Sequence, residues 1–168
     1  MKSRLAFLFA ALLPVAAAAQ SAGFSEGLAR ALLLPAQLSI ERAHQNSLVP
    51  KDFNACVQNL KPSDLQREVD DMLRSTFSSE ELAQLDVFAS SPAGIRYYAR
   101  GLAFIFAASG RTPPAVIELT PADISALDQF AETAAGTKFL KQKVLERAGL
   151  APPIRARVTA LIKGCEAR

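Results

Sequence analysis

The chain has 168 residues, half of them apolar by type, a formal charge of +3, one histidine, two cysteines and no tryptophan. That length and apolar share suffice for one domain with a real core. Lys2 and Arg4 supply most of the positive excess, so the chain beyond them is nearly neutral, which argues against a basic nucleic-acid binder.

Residues 1–19 read as a secretory signal peptide. Lys2 and Arg4 precede an apolar run from Leu5 to Val15, Ala17-Ala18-Ala19 forms the cleavage box, and polar Gln20 and Ser21 follow. The run is shorter than the roughly 20 residues that span a membrane. The expected location is therefore periplasmic or secreted. In such a compartment Cys56 and Cys165 are expected to form a disulfide, the alternative being two buried, unpaired thiols.

Residues 20–61 predict N-terminal helices packed on the core. A helix over residues 24–34 is ended or kinked by Pro35, and a second short one runs to residue 45. After a turn at residues 46–50, Asp52 is placed to cap a helix whose Phe53, Cys56, Val57 and Leu60 share a face.

Residues 62–149 form the main unit. Ser63 with Gln66 reads as a capping box ahead of the stripe Leu65, Val69, Met72, Leu73 and Phe77, and Ser78 with Glu81 reads as another ahead of Leu82, Leu85 and Phe88. Ser91-Pro92 starts the next helix, serine as the cap and proline at the first helical position. Its later part, GLAFIFAA at residues 101–108, is apolar nearly all round and predicts the centre of the bundle. Leu102, Phe104, Ile105 and Phe106 are candidate lining for an apolar groove there, should neighbouring helices splay. Residues 111–118 (RTPPAVIE) are an irregular connection. Thr120, Pro121 and Asp123 then repeat the capping pattern ahead of Ile124, Leu127 and Phe130. A corner at Ala134-Ala135-Gly136 follows, and Phe139, Leu140, Val144 and Ala148 extend the stripe to a stop at Gly149.

Residues 150–168 hold a last helix opened by Pro152-Pro153, with Ile154, Val158, Leu161 and Ile162 on one face and Cys165 just beyond. No useful stretch of sequence alternates with period two. The fold class is all-α, a compact bundle of about seven helices.

Two segments of the main unit match. FSSEELAQLDVFASSPAGIRYY (residues 77–98) slides onto LTPADISALDQFAETAAGTKFL (residues 119–140) with an offset of about 42 residues. Leu85 meets Leu127, Asp86 meets Asp128, Phe88 meets Phe130, Ala93 meets Ala135 and Gly94 meets Gly136. The pattern predicts two copies of a helix-corner-helix unit, with Phe88, Ser91, Pro92, Gly94, Phe130 and Gly136 as corner residues. Gly94 and Gly136 are expected where helices approach too closely for a side chain. Thr133 and Ala134 replace the Ser-Pro pair in the second copy, so that corner is expected to bend rather than break. Asp86 and Asp128 either face solvent or accept a hydrogen bond from the start of the following helix. These residues resemble the bacterial envelope proteins grouped as domain-of-unknown-function family 2059. The resemblance covers roughly residues 62–149 and implies an exported helical protein, with no activity attached.

Chemistry-bearing patterns are scarce. His44 lies one turn from Glu41, a surface ion pair or a solvated histidine rather than a ligand. There is no Gly-x-Ser-x-Gly elbow, Cys-x-x-Cys pair, phosphate loop or dinucleotide fingerprint. No catalytic residue, metal ligand or cofactor is assigned. Tyr97 and Tyr98 read as packing rather than stacking residues. Lys138, Lys141, Lys143, Arg147, Arg155, Arg157, Lys163 and Arg168 form a basic C-terminal stretch, a solvated face or a weak contact with an anionic envelope surface. The leading expectation is a non-enzymatic module that contacts an envelope protein or holds an apolar ligand. The alternative is a carboxylate-only hydrolase or accessory factor for cell-wall polymers, which needs two facing carboxyl groups; the adjacent pairs Glu80-Glu81 and Asp70-Asp71 point to different helix faces, and Glu80-Glu81 suit a helix's first turn.

Overall fold

The computed structural model describes residues 23–148 and 152–166, so the expected leader and the expected stop at Gly149 lie outside the described residues. The fold is all-α, with no strand among the described residues. The elements are α1 (Phe24–Gln45), α2 (Lys51–Gln58), a 3-10 turn (Pro62–Asp64), α3 (Gln66–Thr76), α4 (Ser79–Ser90) and α5 (Pro92–Ala108). After an irregular segment come α6 (Pro121–Ala131), the single turn α7 (Ala134–Gly136), a π-helical turn (Thr137–Lys141), α8 (Val144–Ala148) and α9 (Pro152–Glu166).

The two short helices expected around Pro35 are one continuous α1. Pro35 lies on its exposed side, so the donor it lacks is not missed in the core, while Ala29, Leu33 and Leu38 face inward. Gln37 on the same helix donates from Nε2 to the carbonyls of Val57 (3.3 Å) and Leu60 (3.1 Å), satisfying acceptors at the end of α2. Asp52 sits inside the first turn of α2 rather than capping it, because the helix already starts at Lys51. The expected box of Ser63 with Gln66 is not formed. Instead the Lys61 N–H donates to Asp64 Oδ2 (2.7 Å) across the 3-10 turn, and α3 begins without a side-chain cap.

Leu33, Leu65, Val69, Leu73, Phe77, Leu85, Phe88, Phe130 and Ile154 share one buried cluster. Each such side chain contributes about 1.5–3 kcal/mol by leaving water. α9 packs on α2 and α3, and the disulfide between Cys56 and Cys165 fixes it there, with Cα atoms 5.6 Å apart and a sequence separation of 109. Closing so long a loop stabilises by about 4–5 kcal/mol in the chain-entropy account. Cys165 lies within the last turn of α9 rather than beyond it.

The apolar stretch of α5 does not occupy the centre of the bundle. The buried residues of α5 are Ala93 and Gly94, at its start, and Phe104 is 74% exposed. Leu102, Ile105 and Phe106 are half-buried along one side. The other side is faced by the irregular segment instead of a helix, and that is why apolar side chains stay in contact with solvent there.

Candidate functional site

Two places carry chemistry beyond simple packing. The first is the pair of corners. Ser91 donates from Oγ to the Phe88 carbonyl (2.7 Å) and accepts the Gly94 N–H (3.0 Å). Thr133 makes the same two bonds, to the Phe130 carbonyl (2.7 Å) and from the Gly136 N–H (3.0 Å). A threonine hydroxyl replaces that of serine, and Ala134 can occupy the first helical position without proline's help. The second corner therefore breaks as sharply as the first, contrary to the expected bend. A Cβ on Gly94 would lie 1.9 Å from the Phe88 carbonyl oxygen, and one on Gly136 would lie 1.8 Å from that of Phe130. The close approach is thus across each corner, onto the last turn of the helix before it.

The corners also hold each other. The rings of Phe88 and Phe130 stack at 4.0 Å with an interplanar angle of 1°. Asp123 closes the capping box of α6, accepting the Thr120 N–H at 2.8 Å, and receives both Nε (2.7 Å) and Nη2 (2.6 Å) of Arg96 from α5. Glu81 closes the box of α4, accepting the Ser78 N–H at 2.8 Å, and receives Nζ of Lys138 (2.7 Å) from the π-helical turn. Each buried carboxylate therefore caps its own helix and takes a cation from beyond the other corner. Arg96 and Lys138 stand at the same offset in the chain as Glu81 and Asp123. Sequence reasoning placed Lys138 in a basic stretch and missed both pairings, although that shared offset is the signal that finds them.

This arrangement holds both carboxylates in the ionised form. The Arg96 guanidinium and then the Thr120 hydroxyl hold Asp123 well below the usual carboxylate range. Hydrogen bonds from Lys138 and from the Ser78 backbone lower Glu81. A general acid in a glycosidase needs its carboxyl raised, so these two are tuned the wrong way for that role. Glu80, Asp70 and Asp71 do not join them. Asp71 lies near Arg74 on the surface of α3, and Asp70 accepts from the Ser25 hydroxyl and from Gln66 Nε2 (2.9 Å).

Asp86 does not lock its corner. Its Oδ1 accepts the Phe24 N–H (3.0 Å) at the start of α1, and the corner role falls to Ser91. Asp128 is exposed. Tyr98 donates its hydroxyl to the Gly27 carbonyl (2.8 Å), and Tyr97 packs edge-on against Phe88 and Phe139. Burial pushes both phenols up. His44 bonds through Nδ1 to the Val49 carbonyl (3.1 Å), while Glu41 pairs with Arg111 (2.8 Å) instead of with the histidine. Among the described residues no three His, Cys, Asp or Glu side chains stand together as a metal site would require.

The second place is the open side of α5. Arg100, Ala103, Phe104 and Ala107 form one wall of a concavity of about 570 Å³, and Pro113, Ala115, Val116, Ile117, Glu118 and Leu119 form the other. Phe104 is the one residue of the expected groove that lines it. Leu102, Ile105 and Phe106 are turned away, because they fall on the half-buried side of the helix. Val116 is 85% exposed. Sequence reasoning left Arg100, Val116 and Glu118 unmarked; adjacent β-branched residues in a proline-led connection were their only trace. The rim is open and polar at Arg100 and Glu118, a shape suited to contact with another macromolecule rather than to enclosing a small apolar ligand. No helix among the described residues is long and apolar enough to cross a membrane. No protein-family model, curated protein or solved structure matches the chain.

Proposed function

We propose that this chain is an exported, non-enzymatic module of the bacterial cell envelope that docks another envelope component on the open side of α5. Its frame is a duplicated helix-corner-helix unit, and the reciprocal bonds of Arg96 with Asp123 and Lys138 with Glu81 support that duplication. The disulfide between Cys56 and Cys165 supports an oxidising compartment. The resemblance of the corner residues to an envelope family of unknown function points the same way. One observation carries the docking reading: Phe104 and Val116 are large apolar side chains left largely in water, one on each wall of the same concavity. Such patches on folded proteins mark contact surfaces more often than enclosed sites.

The test is site-specific photo-cross-linking in intact envelopes, with a photoreactive amino acid replacing Phe104 in one variant and Asp71, on α3, in another. The reading predicts discrete adducts from position 104 and none from position 71. Equal labelling from both positions, or none from either, would defeat it.

A further inference from the structure

Beyond Arg111, which is anchored to α1 through Glu41 (2.8 Å) and Gln45 (2.7 Å), the chain runs to Thr120 without helix or turn geometry over most of its length. Among the described residues, the backbone N–H and C=O groups of residues 112–119 make no hydrogen bond. Nearly all such groups in folded proteins are paired or hydrated, and an unpaired row in an extended segment is a template for another strand. Exposure alternates from Val116 to Leu119. Val116 and Glu118 point to solvent, and Ile117 and Leu119 are half-buried, the period of a β-strand. Val116 and Ile117 favour extended backbone, and Pro113-Pro114 lacks the donors to extend a ladder, which confines pairing to residues 115–119.

The charges at this face are also unmet. Arg100 and Glu118 are exposed, line the same concavity and form no ion pair among the described residues. A face carrying one free cation and one free anion is complementary to its own copy turned through a two-fold axis. A partner of single charge would leave one of the two without a counter-ion.

We infer that the open side of α5 binds a second copy of this chain. Residues 115–119 of the two copies pair antiparallel about a two-fold axis. Phe104 and Val116 of each copy cover the other's concavity, and Arg100 of each meets Glu118 of its partner. Five residues of strand span about 16 Å, so the interface falls at the small end of the specific range and the dimer is weak and concentration-dependent. This inference rests on the docking reading above and names its occupant.

Sedimentation velocity on the oxidised protein, from low micromolar to submillimolar concentration, tests it. The expected result is a reversible monomer–dimer equilibrium. Arg100→Glu and Glu118→Arg should each weaken dimerisation at least tenfold, because like charges then face each other across the axis. The double reversal should recover most of the affinity, since the pair has only changed sides. Circular dichroism should show the same helicity in all four proteins. A chain monomeric at every concentration overturns the inference. So does a double reversal as weak as the single ones, because the charges would then not meet across the axis. Adducts from position 104 with a different protein, from a chain that stays monomeric, would overturn self-pairing while leaving the docking reading intact. Absence of both would remove both.

Discussion

Gly94 and Gly101 lie about two turns apart on α5. A methyl group added to the first would press on the Phe88 carbonyl oxygen at 1.9 Å, whereas one added to the second would meet nothing within 4 Å. The helix is apolar around both. Its first turns are held by the Ser91 cap, by Arg96 on Asp123 and by the Tyr98 hydroxyl on α1, so its small residues sit against backbone. One side of its last turns is half-buried, but the side of Phe104 meets only an extended segment that supplies no ladder and little cover. An apolar helix face is therefore buried or open according to what the chain places opposite it, and hydrophobicity alone does not decide which.

Paired substitutions test that contrast, and the aromatic pair should give the largest difference. Phe130→Ala removes one ring of a buried stack and should cost about 3–5 kcal/mol in urea unfolding, with a clear fall in Tm. Phe104→Ala on the open side should stay within about 0.5 kcal/mol of the parent. Equal losses at both positions would mean that the open side is part of the core. The glycine pair comes next and should differ in sign. Gly94→Ala should destabilise by about 2–4 kcal/mol, because the obstacle is backbone that must move. Gly101→Ala should stabilise by about 0.4–1 kcal/mol, since it only restricts the unfolded chain at an unobstructed helical site.

The smallest expected effect is on the acid limb of stability. Asp123 and Glu81 lie below their ordinary values of 3.8 and 4.5, so the unfolded chain binds protons that the folded chain does not. Their contribution is fully present above about pH 5 and is lost progressively as pH falls through the carboxylate range. Asp123→Asn should lower Tm at neutral pH and flatten the dependence on pH across that range. An unchanged slope in acid would show that the pairing with Arg96 does not tie the corners together.

Much of the fold could be read from the chain because its signals are local. Ser78 with Glu81, Thr120 with Asp123, and Ser91-Pro92 begin helices where capping chemistry places them, and the two cysteines pair. The misreadings share a different cause. Pro35 reads as an end or a kink of the first helix, yet α1 runs on through it, because a proline on an exposed helix face removes no buried bond. The apolar run at residues 101–108 was expected at the centre, and its fate depends on a tertiary neighbour that no local pattern encodes. Arg96 and Lys138 become legible only when the offset that relates Glu81 to Asp123 is applied to cations as well. The strand-like exposure of residues 116–119 has no counterpart in hydropathy, since valine and isoleucine stand together there.

The contrast between the two ends of α5 is tested most directly by amide hydrogen exchange on dilute, oxidised protein. The Gly94 and Gly136 amides, bonded to Ser91 and Thr133, should exchange only with global unfolding. The amides of Val116, Ile117 and Glu118 should exchange at nearly the rate of an unstructured peptide. Strong protection at residues 116–118 in the dilute chain, or rapid exchange at either corner glycine, would contradict the account.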